Sequence, residues 1–138
     1  TQGDKETLEK IQRRAVRMVS GLKGTSYEDK LTELNLLSLE DRRLLYDMVQ
    51  TFKIIRGFDD VNFSTWFTLV GDNPARITRQ TSDPLNIVRP VVRNEIRRSF
   101  YSVRVVDPWN SLPSEAKHAP SIAVFKRIVR DLIKMNYF

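Results

Sequence analysis

The sequence predicts a mainly α protein: a compact helical domain with a short extended, β-hairpin-like, arginine-rich insertion in its second half. Three observations predict it. Apolar residues recur at three- and four-residue steps through most of the first 56 residues and again after Ser121, the period of a single helix face. All six prolines lie after residue 73, so the punctuation of the chain changes halfway. Hydrophobic residues make up 41% of the 138 and charged residues 29%, as in a folded globular chain and unlike a disordered one.

The first helix is expected from about Lys5 to Ser20, with Leu8, Ile11, Ala15, Met18 and Leu22 as its inward stripe. Gly21 and Gly24 stop it. "SYED" then offers Ser26 as an N-cap and Asp29 at the third helical position, opening a short helix that carries Leu31 and Leu34. The same signal returns in "SLED", Ser38 to Asp41, before the longest helix. Its apolar face is Leu44, Leu45, Met48, Val49, Phe52 and Ile55, and Gly57 closes it. A short helix capped by Asp60 is expected to bring Phe63, Trp66 and Phe67 into the core.

Residues 71–90 read differently. Gly71, Pro74, Pro84 and Pro90 punctuate "RITRQ" and "LNIVRPVVR", whose β-branched residues suggest short extended segments, with Pro90 confining its strand to an edge. A helix from about Val103 to Leu112 follows, capped by Ser102 and shortened by Asp107-Pro108, with Phe100 and Trp109 as core rings. Ser121 caps the last helix, which turns Ile122, Phe125, Val129 and Leu132 inward and Lys126, Arg127, Arg130 and Lys134 outward. The whole reads as one domain: a helical half over 1–70, an arginine-rich extended arm over 71–106 and C-terminal helices over 107–138. Beginning at Thr1 rather than methionine, it reads as a piece of something longer.

Charge separates the two halves more sharply than composition does. The net charge is +6. Residues 1–75 are close to neutral, whereas residues 76–138 hold twelve Lys/Arg against five Asp/Glu. Every basic residue from Arg76 to Arg104 is an arginine: Arg76, Arg79, Arg89, Arg93, Arg97, Arg98 and Arg104. Arginine presents a planar fork that matches phosphate, so this half points to a polyanionic partner. Spaced along an extended segment, such residues track a nucleic-acid backbone, and an interleaved ring stacks on unpaired bases; Tyr101 is the best candidate for that ring. Lys10, Arg13, Arg14 and Arg17, opposite the apolar stripe of the first helix, form a second basic strip.

Catalytic chemistry has little to build on. There are no cysteines, which excludes disulfides, thiolate metal sites and cysteine nucleophiles and suits a reducing compartment. His118 is the single histidine, and no zinc-protease, nucleophile-elbow or phosphate-loop motif occurs. The acidic residues cluster in first turns of helices, where they answer the helix dipole. No enzyme, cofactor, metal, membrane or small-molecule substrate is expected.

Three blocks carry a family likeness. "LEKIQRRAVRMVSG", "SYEDKLTELNLLSLEDRRLLYDMVQTFKIIRG" and "SFYSVRVVDPWNSLPSEAKHAPSIAVFK", in this order from Leu8 to Lys126, resemble the C-terminal region of non-LTR (LINE-type) retrotransposon reverse transcriptases, with jockey-like and chicken-repeat-like clades nearest in flavour. The resemblance implies a segment that follows the polymerase palm and thumb and holds template RNA or target DNA during target-primed reverse transcription. It implies the rest of the parent polymerase as a partner and a ribonucleoprotein of cytoplasm and nucleus as the setting. It implies no catalysis by this piece, since the Tyr-x-Asp-Asp motif is absent and "YEDK" at Tyr27 is not that motif. The Cys/His-rich knuckle of some related elements is also missing, and Pro108 departs from the helix-compatible apolar residue expected before Trp109. A different class of function, a docking module that packs on the polymerase thumb or another protein, predicts instead an exposed apolar patch on the first helix or around Trp66.

Overall fold

The computed structural model describes residues 2–72 and 83–138. The fold is mainly α. In chain order it comprises α1 (Gln2–Arg17), α2 (Tyr27–Glu33), α3 (Leu39–Ile55), two single 3-10 turns (Phe63–Thr65 and Val70–Asp72), α4 (Glu95–Arg98), α5 (Tyr101–Arg104), α6 (Val106–Ser111), α7 (Ser114–Lys117) and α8 (Ile122–Lys134). Among the described residues no helix is long and apolar enough to cross a membrane. The chain divides into two compact units, Thr1–Leu44 and Leu45–Phe138, with the division inside α3 rather than at the compositional change near residue 70.

In the first unit the caps form as the sequence predicts. Ser26 Oγ accepts the Asp29 N–H at 3.0 Å and donates to the Asp29 carboxylate at 2.7 Å, and Ser38 does the same with Asp41 at 3.1 and 2.7 Å. Gly21 and Gly24, with φ of 90° and 87°, turn the chain after α1 in a region that side chains disfavour. Two polar residues of α1 then tie the unit together. Glu9 accepts from the Tyr27 hydroxyl and from the Leu39 N–H, while Gln12 donates to the Tyr27 hydroxyl and to the Leu37 carbonyl. Burial, with help from Glu9, pushes the Tyr27 hydroxyl up to about 12.

The apolar stripe of α1 does not turn inward. Leu8 is 47% exposed, Ile11 64% and Met18 76%, and Val16 is the buried apolar residue of this helix. α2 has only seven residues, so the first unit buries Val16, Leu31 and Leu37, beside the stripe, and leaves most of the stripe itself facing solvent. The periodicity fixed which face is apolar, but nothing in this unit is long enough to cover it.

The second unit has a denser core. Phe52 of α3 stacks on Phe125 of α8 with centroids 4.2 Å apart, and Trp109 of α6 meets Phe125 at 6.0 Å. Met48, Val105, Val106, Ala116 and Val129 are buried in the same unit. The helix expected over 103–112 is split into α5 and α6, because Pro108 cannot donate to, and clashes with, the carbonyl one turn earlier. Pro108 is then accommodated in the first turn of α6, where N–H groups have no helical partner. Ser102 lies inside α5 and does not cap it. The helix expected after Asp60 shortens to the single turn Phe63–Thr65, capped by Asn62 and not by Asp60. Phe67 is buried there, but Trp66 is 46% exposed, and Phe100, also expected in the core, is 57% exposed.

No strand occurs among the described residues; the expected hairpin reduces to one antiparallel bridge, Leu69 to Ile87, while "RITRQ" lies outside the described residues. A side chain takes the place of the next strand. Asn110 accepts the Ile87 N–H at 2.8 Å and donates to the Ile87 carbonyl at 2.9 Å, and the Trp109 indole donates to the Leu85 carbonyl at 2.8 Å. Lys117, only 2% exposed, donates to Asn86 Oδ1 at 2.7 Å and to the Asn110 carbonyl at 3.2 Å. Asp83 is buried beside it. It accepts from the Ser114 hydroxyl at 2.6 Å and the Leu85 N–H at 2.9 Å, with His118 Nε2 at 3.3 Å. Replacing Asn110 by alanine orphans both polar groups of Ile87 and is expected to cost about 2 kcal/mol in urea unfolding.

Both buried charges make stability rise with pH, Asp83 in the acid range and Lys117 in the alkaline range. Burial alone would raise the Asp83 pKa, but bonds from Ser114, Leu85 and His118 outweigh it and hold the carboxyl below its ordinary 3.8. The stability Asp83 contributes is therefore present above pH 3.8 and is lost as pH falls through its folded value. Burial lowers the Lys117 amine below its ordinary 10.5, opposed in part by Asp83. The unfolded chain binds that proton more tightly, so this penalty fades as pH rises toward 10.5. Urea midpoints of wild type and Asp83→Asn are expected to differ at pH 7 and to converge below pH 3.8.

Candidate nucleic-acid interface

The arginines of the second half fall into distinct settings. α4 is a four-residue helix opened by Asn94, whose side chain accepts the Ile96 N–H at 2.9 Å, and no residue of α4 is buried. It follows an extended segment leaving Pro90, with Val91 91% exposed. Arg93 and Arg97 are exposed here, and their side chains have no partner among the described residues. Arg98 pairs with Glu95 one helical turn back at 2.7 Å. Arg89 pairs with Asp107 at 2.6 Å, both side chains being largely exposed. Such exposed pairs are worth less than about 1 kcal/mol, so either arginine can exchange its carboxylate for a phosphate at little cost.

Arg104 is committed elsewhere. Its Nε and Nη2 grip the two oxygens of Asp47 at 2.8 and 2.9 Å, and Nη1 donates to the Ser99 carbonyl at 3.0 Å. The Asp47 bond raises its pKa and holds it charged. Tyr101 is similarly engaged. Its hydroxyl lies 2.9 Å from Thr51 Oγ1, and its ring meets Trp66 and Phe67 edge-on at 6.2 and 6.0 Å. Burial pushes that hydroxyl up to about 12, against the Thr51 bond. The ring expected to stack on bases is thus part of the packing, while Phe100 and Trp66, expected to pack, are among the exposed rings. A sequence shows that a ring is large and apolar; it does not show which of two neighbouring rings faces inward.

Arg76 and Arg79 lie outside the described residues. On α1, Lys10, Arg13, Arg14 and Arg17 are all exposed, as the sequence predicts. Arg13 lies over the Tyr27 ring with its guanidinium carbon 4.8 Å from the centroid. Arg13 and Arg17 share a small pocket with Lys30, a cation absent from the sequence-derived set. No local pattern marks Lys30, because it meets the α1 arginines only once Glu9 and Gln12 have fixed Tyr27. The α1 stripe, for its part, opens onto an apolar groove of about 470 Å3 that continues along Leu34, Leu36 and Leu39.

Comparison with protein-family models, with curated proteins and with solved structures found no match.

The two settings make separable predictions. Arg104→Ala is expected to lower stability by about 1 kcal/mol in urea unfolding, since it leaves Asp47 without its bidentate partner. Arg97→Ala is expected to leave the urea midpoint unchanged, and an equal loss in both variants would contradict the division.

Proposed function

We propose that this chain is a non-catalytic, nucleic-acid-binding accessory domain of a non-LTR retrotransposon reverse transcriptase. In this reading it holds template RNA or target DNA during target-primed reverse transcription, with RNA or single-stranded DNA as its ligand. Its other partner is the rest of the parent polymerase, in a ribonucleoprotein of cytoplasm and nucleus. The observation that carries the reading is the exposed set Arg93, Arg97, Arg98, with two forks unpaired among the described residues and the open ring of Phe100 two residues beyond Arg98. Unpaired guanidinium groups have nothing to release before gripping phosphate, and a neighbouring exposed ring suits an unstacked base.

A salt series with labelled single-stranded RNA, single-stranded DNA and duplex DNA tests it. Binding is expected with a Kd of micromolar order or tighter, falling steeply with salt. The double variant Arg93→Glu/Arg97→Glu is expected to weaken binding and to reduce the salt slope by about two units. No binding at low salt, or an unchanged slope in the double variant, would overturn the reading.

One observation favours a second reading, a docking module. The α1 stripe and its groove, with Ile11 64% exposed, form an apolar patch of the kind that protein contacts cover. In that case the arginines meet acidic protein surface.

A further inference from the structure

The first unit holds a second positive feature that differs from the arginine run in being concave. Arg13 and Arg17 of α1, Lys30 of α2, and Thr25 and Tyr27 line a pocket of about 130 Å3. Three cations face it and no carboxylate lines it. One wall is built in advance: the Tyr27 hydroxyl is fixed by Glu9 and Gln12, and Arg13 lies 4.8 Å over the Tyr27 ring. The Thr25 hydroxyl is turned to the Leu22 carbonyl at 2.9 Å, so it closes the pocket rather than offering a proton. The donors left for a ligand are those of the cations, and the side chains of Arg17 and Lys30 have no partner among the described residues.

This arrangement is unfavourable when empty. Arg13 and Arg17 stand four residues apart on one helix, where like charges repel, and Lys30 adds a third charge. A doubly charged anion removes that repulsion and gains two guanidinium forks with an ammonium point charge. The volume is well below the ~300–1,000 Å3 of sites for drug-sized ligands, so it suits one tetrahedral anion and not a nucleoside. We propose that this pocket binds a single phosphate group, supplied either by a nucleic-acid strand or by free inorganic phosphate. The site is independent of the arginine run of the second unit and does not require it to bind nucleic acid.

The experiment titrates inorganic phosphate into the full chain at constant ionic strength, with chloride as the balancing ion, and follows backbone amide shifts. The variant is Arg17→Gln/Lys30→Gln, whose two side chains make no described bond, with its urea midpoint checked against wild type. Saturable shifts confined to residues near Thr25 to Lys30, weakened at least about tenfold in the variant, are expected. Shifts no larger than those from chloride, or equal affinity in the variant, would overturn the site. Two labelled strands, one with a 5′-phosphate and one with a 5′-hydroxyl, then identify the source. A 5′-phosphate preference lost in the variant supports a strand end, and equal weakening of both supports an internal phosphate. Strand binding untouched by the variant, while its phosphate shifts are weakened, supports the free ion. Because the phosphate titration uses no strand, failure of nucleic-acid binding and failure of this pocket are read separately.

Discussion

The second unit depends on one side chain standing in for a strand. Ile87 has a backbone N–H and carbonyl that a sheet would pair, and the Asn110 amide pairs both. Trp109, the preceding residue, is fully buried and still uses its indole N–H to hold the Leu85 carbonyl. Lys117 completes the clamp through Asn86 and the Asn110 carbonyl. An extended segment that pairs with Thr68–Gly71 along one edge is thereby held along the other by a side chain, and its buried polar groups are satisfied rather than exposed to aggregation. The clamp also fixes where the chain emerges before Arg89 and the exposed stretch that follows.

What was legible in the sequence was what local chemistry decides. Ser26, Ser38 and Ser121 cap helices because each hydroxyl can reach an N–H three residues on, whatever else the chain does. The inward face of α8 was legible in part: Phe125 and Val129 are buried, Ile122 and Leu132 are half-buried, and Ile133 rather than Leu132 completes the buried face. The hairpin was not legible, because β-branched composition reports extended backbone and cannot say whether the partner is a strand or an asparagine. Nor was the burial of Lys117. A lysine between two prolines reads as solvated, and only the convergence of Asn86 and Asn110 makes its burial tolerable.

The candidate interface shows the same division between composition and context. Seven arginines look alike in sequence, yet Arg104 serves the packing around Asp47 while Arg93 and Arg97 stand free of partners among the described residues. The cost of withdrawing a guanidinium from a bidentate carboxylate separates these roles, since phosphate competes poorly for a fork already engaged. Phe100 beside the free forks gives the second unit an exposed cationic surface, whereas Ile11 and Met18 give the first unit an apolar one in addition to the basic face of α1.

Which of these surfaces meets nucleic acid is the central question, and residue-resolved mapping answers it most directly. Backbone amide shifts of the full chain, followed as unlabelled single-stranded RNA is added, would locate the contact. The account predicts the largest shifts over residues 91–100, with Arg104 and the clamp around Asn110 undisturbed. Shifts confined to the apolar groove between Leu8 and Leu39, or none at saturating RNA, would contradict it.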